Sequence, residues 1–371
     1  MALKHILCIG LALLGHSVLK AQIASETKFA ISLTAHRGFL IAHRPLIAPL
    51  QKDNVHGLEG NIKLRTDGSQ NWQKIYGYPE MGLSFAIWDL GNKEKLGIGF
   101  TVVPYLDFPL SKGNKHAFDL KFGWGIGYVE KTFDASENYK NVAIGSHLNC
   151  ALMLQPQYKL KISEKLKFGA GLSLTHFSNG SITTPNLGIN LSSITASIIY
   201  NLGEKVHIKD PQLPTFIKST RVTIFGSGSV KQVYPAQGKN FFACTLSGNI
   251  TRQKTRKSGI GGGADIFYDQ SIHQKLEERD LKLNNSLETL KAGIHGSYEL
   301  VISDVSLMLS MGGYLYTKLK NDGYFYHRIA VRYRINKKMF VCMNLKSHWG
   351  KADYIEWGIG FRNDYYEKNK N

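Results

Sequence analysis

From His116 to Tyr128 every second residue is bulky: Phe118, Leu120, Phe122, Trp124, Ile126 and Tyr128 follow His116, with Ala117, Asp119, Lys121, Gly123, Gly125 and Gly127 between them. A period of two is what a strand shows when its two faces meet different surroundings. The alternation returns at Met81, Leu83, Phe85 and Ile87, at Leu96, Ile98, Phe100 and Val102, and at Ile355, Trp357, Ile359 and Phe361. It predicts strands near 27–43, 54–66, 79–89, 94–106, 115–131, 142–160, 166–178 and 189–202. Eight more are predicted near 221–233, 240–254, 258–269, 288–302, 304–317, 325–336, 338–348 and 352–363. The polar stretch between Gln270 and Ser286, which contains the run Gln274 to Arg279, predicts a long loop with a helical turn, either an external lid or an ordinary solvated loop.

A soluble β-sandwich would also alternate, so the choice between sandwich and barrel rests on other features. Lys4 and His5 precede the apolar run Ile6–Leu14, and Leu19-Lys20-Ala21 follows, which predicts a signal peptide over residues 1–21 cleaved after Ala21. That run is shorter than the roughly 18 to 20 residues of a spanning helix, and no later run is long enough either. Export, glycines on the small face of each strand and aromatics near strand ends together predict an all-β, transmembrane antiparallel β-barrel of about 12–16 strands. In this reading residues 22–205 hold the first strands, and 206–371 add further strands of the same barrel beyond an interruption at Val206–Thr220, with Pro211 and Pro214.

Composition excludes some classes. With 371 residues, 43% hydrophobic and 20% charged, the chain is neither disordered nor collagen-like. Its formal charge of +18 becomes +16 once Lys4 and Lys20 leave with the signal, and export removes nucleic acid as a partner. A basic exported protein suits a surface rich in phosphate, such as lipopolysaccharide. Cys150, Cys244 and Cys342 are widely spaced and form no Cys-x-x-Cys pair, so neither a disulfide framework nor a metal site is expected.

The chemistry gathers at Leu166–Gly180, LKFGAGLSLTHFSNG. Its even positions, Leu166, Phe168, Ala170, Leu172 and Leu174, continue as His176 and Ser178, so an apolar face ends in an imidazole and a hydroxyl. Period two sets the pair side by side, where the imidazole can take the hydroxyl proton as attack begins. On the next strand Asn190 shares the face of Ile194 and Ile198, near the same rim, where its amide can accept the imidazole N–H as the third member of a triad does. Asn179 and Asn186 are candidate oxyanion donors, with turn-forming as their alternative role.

The runs Thr175-His176-Phe177-Ser178-Asn179-Gly180 and Pro185-Asn186-Leu187-Gly188-Ile189-Asn190 resemble the lipid A 3-O-deacylase and acyloxyacyl hydrolase family of outer-membrane enzymes. Ala143-Ile144-Gly145-Ser146-His147-Leu148-Asn149 and Asp67-Gly68-Ser69 resemble its longer members. The resemblance covers most of residues 27–202. It implies His176 as base, Ser178 as nucleophile and Asn186 in oxyanion stabilisation. Where the deacylase has an acid this chain has Asn190, and there it is similar to outer-membrane phospholipase A, whose triad ends in Asn. His147, on the preceding strand, is a candidate for supporting the catalytic residues from behind, with a structural role as the alternative.

These readings converge on a serine-dependent carboxylic ester hydrolase in the outer membrane that removes an acyl chain from lipid A or another outer-leaflet lipid. No cofactor is expected. Calcium enters only under the phospholipase alternative, and carboxylates are absent from 176 to 203. The remaining alternative is a non-enzymatic barrel, a pore or scaffold.

Overall fold

The computed structural model describes residues 28–203, 206–278, 280 and 286–367. The expected signal peptide, residues 1–21, lies outside the described residues. Sixteen strands are present among those described. The first eight are β1 (Phe29–Leu40), β2 (Val55–Arg65), β3 (Glu80–Asp89), β4 (Ile98–Lys112), β5 (His116–Val129), β6 (Leu148–Lys161), β7 (Leu166–Ser178) and β8 (Ile189–Asn201). The second eight are β9 (Ser219–Gln232), β10 (Asn240–Gln253), β11 (Ser258–Asp269), β12 (Leu290–Ile302), β13 (Val305–Thr317), β14 (Phe325–Arg334), β15 (Met339–His348) and β16 (Lys351–Tyr366).

Every neighbouring pair is antiparallel, and the sheet closes twice. Strand β8 pairs back onto β1, from Ala30 opposite Asn201 to Leu40 opposite Leu191. Strand β16 pairs back onto β9, from Tyr366 opposite Ser219 to Trp357 opposite Gly228. The single barrel expected to continue through 206–371 is therefore two closed eight-stranded barrels. The reason is physical: once β8 has given its free edge to β1, no edge remains for β9 to extend. By contacts the chain forms two compact units, one running through Ser178 with Gly188–Pro211, the other Asn179–Leu187 with Gln212 onward.

In the first barrel the outward face is greasy and the inward face polar. On β1, Ile31 and Leu33 are exposed while Ser32, Thr34 and His36 are buried. An eight-stranded barrel leaves an interior just wide enough for side chains, and here they carry charge. The buried Glu59 carboxylate accepts from Lys121 Nζ and lies 3.1 Å from His36 Nε2, while Lys121 also donates to Asn61 at 2.7 Å. Asp107 accepts from Lys159 at 2.7 Å. Glycines face inward where a ring needs the room: a Cβ on Gly57 would stand 2.6 Å from the Trp88 ring. The second barrel follows the same rule, with Arg328 buried between Asp265 and Glu356, at 2.8 Å from each.

Three local expectations shift. Residues 142–147 form a loop, with Ala143 and Ile144 buried, and β6 begins only at Leu148. Strand β4 runs from Ile98 to Lys112, later than 94–106, and absorbs Pro109 at a register shift against β5. Of the polar run, Gln274–Glu277 belong to a helix, Ser271–Glu277, pinned by Ile272 and Leu276, which cluster with Leu319, and Arg279 lies outside the described residues.

Candidate active site

Strand β7 carries its exposed residues at Phe168, Leu172 and Leu174, and buries Ser173, Thr175 and Phe177. His176 and Ser178 fall on the exposed parity, at the rim, each half-buried. Two residues apart on one strand, their Cα atoms are separated by about 7 Å, within joint reach of an imidazole and a hydroxymethyl group. Strand β8 presents Ile194, Ile198 and Tyr200 outward, and Asn190 shares their parity.

The hairpin register sets His176 directly opposite Asn190. Directly opposed residues in an antiparallel pair hold their Cβ atoms about 5 Å apart, close enough for side chains to bond across the strands. His176 Nδ1 lies 2.6 Å from Asn190 Oδ1. An amide oxygen only accepts, so His176 Nδ1 carries the proton and Nε2 is left as the basic nitrogen. The Asn190 amide is held at its other end too, Nδ2 donating to His43 Nδ1 at 2.9 Å.

Loops from three parts of the first barrel support the pair. Gly188 turns the chain into β8 at φ +86°, and its N–H donates to the Ala143 carbonyl at 2.8 Å. A Cβ at this position would stand 2.8 Å from His176 Cε1, so only glycine lets the backbone pass so near the ring. Ile41 N–H donates to the Asn190 carbonyl at 2.8 Å, which brings the post-β1 segment, and with it His43, beside the amide. On the other flank of β7, Cys150 is the partner of Ser178 and Leu152 that of His176.

The remaining expected residues are placed as follows. His147 Nδ1 sits 2.9 Å from the Val129 carbonyl, and its ring stacks on Tyr128 with centroids 5.6 Å apart. Asn179 N–H donates to Asn186 Oδ1 at 3.1 Å, tying the two oxyanion candidates together. Asp67-Gly68-Ser69 lies in the connection between β2 and β3, at the opposite end of the barrel from His176, where Gly68 N–H donates to Gln73 and Lys209 N–H to the Asp67 carbonyl. His43 escaped sequence reasoning because 147 positions separate it from Asn190 and only barrel closure joins them. Its one local signal is its place in the loop after β1.

Residues 56–198 match the profile of lipid A 3-O-deacylase (PagL), and residues 219–365 match that of the acyloxyacyl hydrolase C-terminal domain. The first match spans β2 to β8 and the second β9 to β16, so each falls within one closed barrel. No curated protein matches the chain significantly. Among solved structures, the translocator domain of the autotransporter NalP from Neisseria meningitidis is 8% identical, with 98% of this chain and 96% of that one covered at a TM-score of 0.21. The KdgM porin is likewise 8% identical, with 92% and 99% covered at 0.18. Scores this low carry no argument, and the assignment rests on the two profile matches. The chain belongs to the lipid A 3-O-deacylase and acyloxyacyl hydrolase family.

Proposed function

We propose that this chain is an outer-membrane serine esterase that removes an acyl chain from lipid A. Ser178 attacks the ester carbonyl, His176 Nε2 takes its proton and returns it to the leaving alkoxide, and water then hydrolyses the acyl-enzyme. Asn190 holds His176 Nδ1–H. The oxyanion donor comes from Asn179, the next residue after the nucleophile, or from Asn186, whose Oδ1 already accepts from Asn179 and whose Nδ2 is the donating end.

The observation that carries this reading is the 2.6 Å contact between His176 Nδ1 and Asn190 Oδ1 on the exposed parity of β7 and β8, with Ser178 on the same face. It accounts for a costly arrangement. Polar groups ending a lipid-facing strip are rare unless they are used. The exposed apolar residues below them, Leu172, Leu174 and Ile194, offer an acyl chain a surface within the bilayer. At the end of the barrel opposite His176 the connections 113–115 and 162–165 are short and 66–79 is long, while 41–54 and 130–147 lie at the His176 end.

The closure counts against the pore form of the non-enzymatic reading, because eight strands enclose side chains where sixteen would enclose a channel, and the scaffold form is tested by the same acyl-release assay. A phospholipase reading is favoured by the amide at position 190. Mass spectrometry of lipid A and of phospholipid vesicles, each incubated with the wild type and with Ser178→Ala, separates them. Fatty acid released from lipid A by the wild type alone supports the proposal. Release from phospholipid alone transfers it to the second reading, and undiminished release by Ser178→Ala, with heat-modifiable migration intact, ends both.

A further inference from the structure

We infer that His43 is a positioning residue for the catalytic histidine, holding the Asn190 amide in the one orientation that leaves His176 able to act as a base. The inference rests on the esterase reading above and adds a fourth member to its relay.

The argument starts from a difference between an amide and a carboxylate. Either oxygen of a carboxylate can accept the imidazole N–H, so its rotation about the last side-chain bond is without consequence. An asparagine has one accepting end and one donating end. With Oδ1 toward His176, the ring protonates at Nδ1 and exposes a basic Nε2. With Nδ2 toward His176, Nδ1 must accept, the proton moves to Nε2, and the ring faces the nucleophile as a donor. The flipped site has the same atoms in the same places and cannot take a proton.

His176 does not choose between these states, because either tautomer satisfies its contact with the amide. The choice lies with whatever meets the other end of Asn190. That group is His43, whose Nδ1 lies 2.9 Å from Asn190 Nδ2. An unprotonated Nδ1 accepts from Nδ2 and holds Oδ1 toward His176. The Ile41 carbonyl lies 3.3 Å from the same Nδ1 and favours the other tautomer, in which Nδ1–H donates to it and Asn190 is free to flip. The shorter Asn190 contact is the productive one. His43 is carried to this place by two backbone bonds, Ile41 N–H to the Asn190 carbonyl at 2.8 Å and His43 N–H to the Ile41 carbonyl at 3.0 Å.

The test is a cycle on the full-length protein in detergent, with acyl release from lipid A as the activity and Ser178→Ala measured first as the reference for the underlying reading. His43→Ala lowers kcat by up to about tenfold, the worth of one orienting hydrogen bond, with KM unchanged. His43→Asn, whose Oδ1 occupies the place of Nδ1, restores much of it, and His43→Lys, which only donates, restores none. In the Asn190→Asp background His43→Ala costs less than twofold, because a carboxylate needs no orienting. A second readout is independent of turnover: nitrogen-15 chemical shifts of the imidazoles report the His176 tautomer, Nδ1–H in the wild type and a mixture in His43→Ala. If Ser178→Ala stays active, the esterase reading has failed. If Ser178→Ala is inactive but His43→Ala matches the wild type, costs the same in both backgrounds, or leaves His176 wholly Nδ1–H, the role of His43 is overturned.

Discussion

Replacing Gly188 by alanine adds one methyl group, and the structure says where it goes. The new Cβ would stand 2.8 Å from His176 Cε1, at least 0.6 Å inside ordinary van der Waals contact, which begins at 3.4 Å. Two adjustments are open. The backbone can leave φ +86°, a left-handed conformation that costs a non-glycine residue about 1–2 kcal/mol, but Gly188 N–H is anchored to the Ala143 carbonyl and resists the move. The imidazole can swing away instead, which stretches its 2.6 Å contact with Asn190 and shifts Nε2 by a comparable distance. Misplacing a catalytic group by about 1 Å costs on the order of 100-fold, so a shift of 0.6 Å or more lowers kcat by roughly 10- to 100-fold. KM holds steady, because the apolar wall that binds the acyl chain is untouched. The assay is acyl release from lipid A at saturating and limiting substrate, alongside the urea midpoint of the barrel. Gly60→Ala is the control, since a Cβ there meets nothing within 4 Å. Wild-type kcat in Gly188→Ala would refute the placement of His176 on which the mechanism is built.

Other expectations concern the wall and its lumen. Lys121→Met leaves the buried Glu59 carboxylate with His36 as its remaining side-chain partner and destabilises the barrel by about 3 kcal/mol, largely recovered by adding Glu59→Gln; a shift in the urea midpoint worth less than about 1 kcal/mol would contradict this. Burial alone would raise the Asp67 carboxyl, but Lys28 at 2.5 Å and the Ser69 N–H at 3.0 Å hold it well below the usual carboxylate range. A depressed carboxyl contributes stability that is complete above its unfolded value, about 4, and is lost as pH falls through the folded one. The advantage of the wild type over Lys28→Met in urea is therefore full at neutral pH and declines below about pH 4, and a gap constant with pH would count against the ion pair.

Much of this was legible along the chain. Alternation located the strands because a one-residue step always exchanges faces, and β7 and β8 keep that parity to their ends. Hence His176, Ser178 and Asn190 could be assigned to one side of the wall from their positions alone. Closure was not legible, because each strand shows the same local pattern whether the sheet holds eight strands or sixteen. The decisive event is which edge β8 meets, and nothing within Ile189–Asn201 names Phe29–Leu40 as its partner. The segment with Pro211 and Pro214 is the visible trace of the break, and the strands on its two sides alternate alike. His43 was hidden for the same reason, since its approach to Asn190 exists only after β1 and β8 have joined.

The closure also explains how the site acquires its geometry. His176 and Asn190 face each other through hairpin register, while His43 reaches the amide through the seam that shuts the barrel. A slip of one residue between β7 and β8 would turn His176 and Ser178 inward, and would expose Ser173, Thr175 and Phe177 in their place. A slip along the β1–β8 seam would leave Asn190 beside His176 but strip it of the group that orients it. On the proposed reading, register at two seams, one local and one closing the ring, sets the tautomer of one imidazole. On the proposed function the lipid reaches that imidazole sideways through the bilayer, so the wall's outer surface would carry the chemistry while the lumen supplies rigidity through its ion pairs.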